Sequence, residues 1–298
     1  MKITITGSLG NISKPLAKQL IQKGHSVTII TSSAERKTEI EELGAKAAVG
    51  SVNDLEFLTK NFADSDAVYC MIPRANYFDQ NLDLDAFTRT IGNNYAEAIK
   101  NSGVKRVVFL SSIGAHLKEN SGIIQRYNEI EAVLNTLQNV SITFMRPTSF
   151  YYNVLAYIPM IKNLGFIATN YGVDAMIPWV SPNDIAEAIA EELTSLPDGN
   201  KIRYVASEEL TGQETAKILG TAVGKPDLEW KFITDEETLN GLISAGMQPK
   251  IANGLVEMYA ALYNGLLAED YLKNKPTVLG KTKLADYAQE FAAIYNQK

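Results

Sequence analysis

The opening of the chain constrains its fold more than any other stretch. An alternating apolar run at 2–6 leads through Gly7-Ser8-Leu9-Gly10-Asn11-Ile12-Ser13 into an amphipathic segment at 14–23, with Pro15 in its first turn and Gly24 just past its end. Proline suits a first turn, where its missing N–H would have had no partner, and glycine takes the left-handed backbone that closes a helix. The run therefore predicts strand, tight turn and helix. Gly7 permits the sharp reversal, and Gly10 lets the backbone approach a diphosphate at the helix N-terminus, where free amides and the helix dipole favour an anion. Ser13 replaces the third glycine of the usual fingerprint, which predicts a slightly wider contact between helix and strand. Two glycines three apart also occur in ordinary β–α turns; the flanking strand and helix, and a second strand ending about 20 residues on, favour a dinucleotide.

From residue 2 to about 147, short β-rich runs alternate with longer helical patterns, as in a parallel sheet covered on both faces. Six strands are predicted, at 2–6, 26–31, 45–49, 66–71, 105–110 and 140–145. Val107-Val108-Phe109-Leu110 is apolar without alternation, which suits a strand buried on both faces. Beyond Pro147 aromatic residues cluster at 150–157, two short strands are expected near 176–180 and 202–206, and helices dominate the end. Thr211 with Glu214, and Thr234 with Glu237, have the form of capping boxes. The expected fold class is α/β: a doubly wound (Rossmann) parallel sheet at 1–150 with a smaller C-terminal α/β lobe at 151–298. No linker separates the two, so the boundary is soft and later strands are free to join the main sheet.

Composition narrows the partners. With 298 residues, 46% of them hydrophobic, the chain can bury one large core and a smaller one. A net charge of -6 opposes nucleic acid and anionic membrane surfaces. Cys70 is the one cysteine, and the two histidines have no cysteine cluster beside them, so neither an internal disulfide nor a metal site is expected. No apolar run approaches the roughly 18 residues that span a bilayer, and no export segment precedes the first strand. A soluble protein of the cytoplasm is expected. Runs such as 39–42 and 187–192 read as solvated helix faces.

At the end of the second strand an NAD site would carry an acid to bind the ribose hydroxyls. Here stand Thr31, Ser32 and Ser33, followed by Arg36 and Lys37. Hydroxyls and a guanidinium can receive a 2′-phosphate, which favours NADP(H) over NAD(H). The same residues also allow a capping box between Ser32 and Glu35, with Arg36 a solvated helix residue.

Taken with Val107-Val108-Phe109-Leu110-Ser111-Ser112, Glu129-Ile130-Glu131, Arg146-Pro147 with Phe150 and Asn153, and the stretch 180–186, the phosphate turn resembles the NmrA-like family of atypical short-chain dehydrogenases/reductases, which includes NAD(P)H:quinone-reductase-like and redox-sensor proteins. The resemblance implies a sheet order 3-2-1-4-5-6. It also implies a cofactor lying across the C-terminal strand ends, touching Met71, Ile72, Ser111 and the segment from Phe150 to Asn153. The segment 126–131, where the resemblance places this part of the site, lacks the Tyr-x-x-x-Lys pair of the alcohol-forming relatives: four residues after Tyr127 stands Glu131. Where family members often carry lysine or histidine stands Tyr127, a candidate for contact with the nicotinamide ribose or for proton donation, although a phenol with an ordinary pKa near 10 is a poor base. Glu131 shares its helical face.

Tyr77, Phe78, Phe150, Tyr151, Tyr152 and Trp179 fall near the expected crevice, and with Asn153 they are the candidate substrate wall. The competing reading of each ring is core between lobes. A planar quinone stacked on nicotinamide could take hydride directly, without a Tyr/Lys pair. Hydride transfer from NADPH to a quinone or related carbonyl compound is thus the expected activity. The alternatives are a non-catalytic NAD(P) sensor acting on a protein partner, and sugar-nucleotide epimerase or dehydratase chemistry. Oligomeric state is not legible.

Overall fold

The computed structural model describes residues 1–297, so Lys298, the end of the expected second lobe, lies outside the described residues. The first half forms strands Lys2–Ile5 (β1), Ser26–Thr31 (β2), Lys46–Val49 (β3), Ala67–Cys70 (β4), Arg106–Leu110 (β5) and Ser141–Pro147 (β6). The second half adds Ser149–Phe150 (β7), Ile167–Thr169 (β8), Met176–Val180 (β9), Lys201–Val205 (β10), Glu208–Thr211 (β11) and Trp230–Phe232 (β12). The main sheet is parallel, in the order β3-β2-β1-β4-β5-β6-β10. Its winding reverses between β1 and β4, and a sheet of this kind opens a crevice at that point, beyond the carboxyl ends of the strands.

All six strands expected in the first half are present, and the order 3-2-1-4-5-6 holds. The strand expected at 202–206 is β10, which joins this sheet outside β6, with Lys201 opposite Thr143. Two small sheets lie apart from it, β11-β9-β7 and β12-β8.

Both faces of the main sheet are covered, which explains why β5 shows no polar alternation. On one side Ile3, Ile5, Ile29 and Val108 meet Leu16 and Leu20 of the helix Ser13–Gln22 and Ile185 and Ile189 of the helix Pro182–Thr194. On the other, Val68, Val107 and Phe109 meet Phe62, Tyr95, Ile99 and Ile130 from the helices Leu55–Ala63, Leu84–Ser102 and Gln125–Leu134. Each such side chain contributes about 1.5–3 kcal/mol by leaving water. A third core, built on Tyr151, Tyr157, Trp179, Trp230 and Phe291, holds the later segments together.

Caps fix the helix starts. Asp54, Asp83 and Ser181 each accept an amide of the first turn, and both expected capping boxes form, Thr211 with Glu214 and Thr234 with Glu237. One expectation about the helical acids fails. Glu192 is buried, not solvated: it binds Arg106 Nη2 at 2.5 Å and Arg203 Nη1 at 3.0 Å. Burial pushes its carboxyl up, but hydrogen bonds from Lys201, Thr143 and Arg203 outweigh that and hold it below the usual range.

Candidate active site

The turn after β1 is built as the sequence requires. Gly7 and Ser8 both take left-handed backbone, with φ of 88° and 55°. For Ser8 this conformation costs about 1 kcal/mol, and two bonds offset it: its amide donates to Ile30 O at 3.1 Å and its hydroxyl to Thr31 Oγ1 at 2.8 Å. A methyl group on Gly7 would stand 2.6 Å from Ser13 Oγ, so no other residue fits. Ser13 has a use of its own here, because its buried hydroxyl donates to Thr6 O at 2.8 Å and ties helix to strand.

What the turn leaves free decides what it can bind. The amide of Gly10 is engaged by Gly7 O at 3.1 Å, and that of Ser8 by Ile30. The amides of Leu9, Asn11 and Ile12 have no acceptor among the described residues. The helix Ser13–Gln22 has no side-chain cap at Ile12 and no acid in its first turn, unlike its neighbours that start at Leu55, Leu84 and Pro182. Beyond Gly10, apart from Gly7 O at 3.0 Å, is open space. Free donors, an uncompensated dipole and a bare backbone fit a diphosphate.

The end of β2 carries no acid. Thr31 Oγ1 accepts from Ser8 Oγ and, at 3.2 Å, from the Ser33 amide. Arg36 Nη1 reaches Ser8 Oγ at 3.5 Å, which brings its guanidinium to the turn. Glu39 is neutralised by Lys14 at 2.7 Å. The competing capping box does not form: the short helix Ala34–Arg36 starts after Ser33 with no side-chain cap, and Ser32 is exposed.

Across the crevice, Met71 N donates to Thr6 Oγ1 at 3.0 Å, and Met71 O accepts from Tyr95 at 2.7 Å. Tyr95, fully buried in the middle of its helix, thus pins the adjoining ends of β1 and β4. Nothing in its sequence context set it apart from core. Ile72 is half-buried beside them. Ser111, at the end of β5, gives its proton to Glu131 at 2.5 Å. Glu131 accepts that bond within a two-pronged pair with Arg146 at 2.9 and 2.6 Å.

The candidate wall divides. Phe150 stacks on Tyr152 at 4.9 Å between ring centroids, both half-buried. Tyr77 and Tyr127 are half-buried and near enough to Tyr152 to influence its ionisation. Phe78 and Asn153 are exposed. Tyr151 and Trp179 do not belong to the wall. Tyr151 is fully buried, donates to Thr282 O at 3.0 Å and stacks on Tyr287, while Trp179 donates to Thr215 Oγ1 at 3.2 Å. In the short 3-10 helix Tyr151–Tyr157 every third residue, Tyr151, Val154 and Tyr157, is buried, so a consecutive run of aromatics could not all face one crevice. Burial and Tyr77 push the Tyr127 phenol up to about 12, against the weaker pull of Arg126. It is a neutral donor at physiological pH and no base.

A doubly wound α/β sheet with an uncapped glycine turn at its switch point defines a Rossmann-like protein. The chain belongs to the NmrA-like family, whose family model matches residues 1–276. Over 228 residues it is 28% identical to the (4-alkanoyl-5-oxo-2,5-dihydrofuran-3-yl)methyl phosphate reductase of Streptomyces griseus, covering 75% of this chain and 74% of that one. Among solved structures it resembles an NADPH-dependent quinone oxidoreductase from Escherichia coli complexed with NADPH, at a TM-score of 0.80 and 19% identity over 97% of this chain and 99% of that one. It also resembles the Citrobacter triphenylmethane reductase complexed with NADP(H), at a TM-score of 0.76 and 22% identity, with the same coverage. Among the described residues no helix is long and apolar enough to cross a membrane.

Proposed function

We propose that this chain is a cytoplasmic NADPH-dependent reductase that passes hydride to a planar acceptor of the quinone or related carbonyl class. The observation that carries the reading is the uncapped helix N-terminus after Gly7–Gly10, with Arg36 and no carboxylate beside it. The activities named for the Streptomyces, Escherichia and Citrobacter relatives support it.

In this reading Leu9, Asn11 and Ile12 give amides to the pyrophosphate, and Ser32, Ser33 and Arg36 receive the 2′-phosphate. A bound reduced nicotinamide supplies the hydride. Met71, Ile72, Ser111 and Phe150 border its end of the crevice. Tyr77, Phe78, Tyr127 and Asn153 face the acceptor, and the segment that starts at Tyr151 supplies much of that side. Ser111, whose proton is committed to Glu131, offers lone pairs and no donor. Tyr127, neutral, is the donor left for a developing oxygen charge, and water completes the protonation.

The test is loss of nicotinamide absorbance when the NADPH-loaded protein meets a panel of benzo- and naphthoquinones. Turnover on at least one acceptor is expected. Tight NADPH binding with no turnover on any would reject the reductase and leave a cofactor-responsive protein that acts through a partner.

A further inference from the structure

The chain holds seven arginines, and five of them are salt-bridged. Arg89 pairs with Glu129, Arg106 with Glu192, Arg126 with Asp85, Arg146 with Glu131 and Arg203 with Glu191. Arg36 and Arg74 have no acidic partner among the described residues. Each stands just past the carboxyl end of a strand, β2 and β4, on the edge where the crevice opens. Acids are not scarce, since the chain has 34 against 28 lysines and arginines. Two fixed cations left bare at one edge are therefore placed for anions that come from outside the chain.

Arg36 reaches Ser8 and serves the cofactor end in the reading above. Arg74 follows Pro73 at the other end and is exposed. It stands three residues before Tyr77 in the same loop, and its charge opposes the upward push of burial on the Tyr77 phenol, behind that of Arg126, and on the Tyr152 phenol. The wall beside it is anchored: Gln248 N donates to Tyr77 O at 2.9 Å, and Gln80 Nε2 donates to Gly246 O at 3.0 Å. The loop that carries Arg74 and Tyr77 is thus tied to the turn before the helix Pro249–Tyr263. A guanidinium beside fixed aromatic rings suits a flat molecule with an anionic substituent, ring on rings and oxygens on the fork.

We propose, resting on the reductase reading, that the natural acceptor carries a carboxylate or phosphate group and that Arg74 binds it, seating the reducible ring beside Tyr77, Tyr127 and Tyr152. The pair is exposed, so its attraction weakens as salt rises.

The test needs no turnover. 2-Naphthoate and 2-naphthamide, alike in shape and different in charge, are titrated calorimetrically into the NADPH-loaded full chain and into Arg74→Ala and Arg74→Lys. The naphthoate is expected to bind at least about tenfold more tightly than the amide, with Arg74→Ala removing the preference, Arg74→Lys restoring part of it, and the dissociation constant for NADPH unchanged in both variants. Equal affinity for the two probes in the unaltered chain overturns the proposal, as does a preference that survives Arg74→Ala. Weakened NADPH binding in Arg74→Ala also overturns it, because Arg74 would then be a cofactor contact. A chain that selects naphthoate through Arg74 but reduces no quinone keeps the anion site and loses the reductase reading.

Discussion

Ser111 and Glu131 are joined by a buried hydrogen bond of 2.5 Å that ties the end of β5 to the helix Gln125–Leu134. Through Arg146, which also binds Asp270 at 3.0 Å, the same carboxylate links that helix to β6 and to the short helix Glu269–Lys273. Replacing Glu131 by Gln leaves a buried guanidinium with half its compensation, and a loss of roughly 3 kcal/mol is expected in urea unfolding. Ser111→Ala removes one hydrogen bond and keeps the ion pair, at about 1 kcal/mol. Equal effects of the two substitutions would contradict this ranking.

Tyr127 is predicted to leave no inflection in the pH–rate profile between about pH 6 and pH 9, because a phenol pushed up to about 12 does not ionise there. Tyr127→Phe should lower kcat by less than about tenfold. The linkage has a definite sign. The folded-state pKa lies above the ordinary value of 10.0, so the stabilising contribution is complete below pH 10 and is lost as pH rises towards about 12. Tyr127→Phe should therefore lose less stability than the unaltered chain across that window in alkaline unfolding.

Arg36→Ala is expected to weaken NADPH binding by about tenfold, the usual worth of one charge-assisted contact, and to leave NADH binding within about twofold. Paired titrations with the two coenzymes read this directly. An equal loss for both would place Arg36 at the pyrophosphate instead of a 2′-phosphate.

Gly122 tests how the C-terminal helices are seated. It has φ of 53°, and a methyl group there would meet Gly254 O at 1.9 Å and Met258 N at 2.7 Å, both backbone atoms that cannot turn aside. Gly122→Ala should cost more than about 3 kcal/mol. Gly241→Ala, with nothing within 4 Å, should be close to neutral. Thermal melts of the two variants make the comparison.

Six strands were legible because each is punctuated by glycine or by a helix start, whereas their order followed only from the family resemblance. β7, β8 and β12, at two or three residues, are too short for a periodic signal. The turn at Gly7 was legible as chemistry, but which amides it frees was not, since the bonds from Ser8 to Ile30 and Thr31 cross from one strand to the next. The same limit applies to Tyr95, Glu192 and Tyr151: a buried phenol, a paired acid and an inward ring have the letters of an ordinary helix or loop. Only the placement of residues distant in sequence distinguishes them. Arg74 drew no attention for a related reason, because an arginine without a partner can be recognised only once the partners of the others are known.

Cofactor binding turns on Leu9, Asn11 and Ile12 offering free amides over a bare Gly10. Calorimetric titration of NADPH into the unaltered chain and into Gly10→Val tests this most directly, with circular dichroism confirming that the variant folds. Saturable binding below about 1 mM in the unaltered chain, lost in a folded Gly10→Val, is the predicted result. No saturation in the unaltered chain, or unchanged affinity in a folded variant, would contradict it.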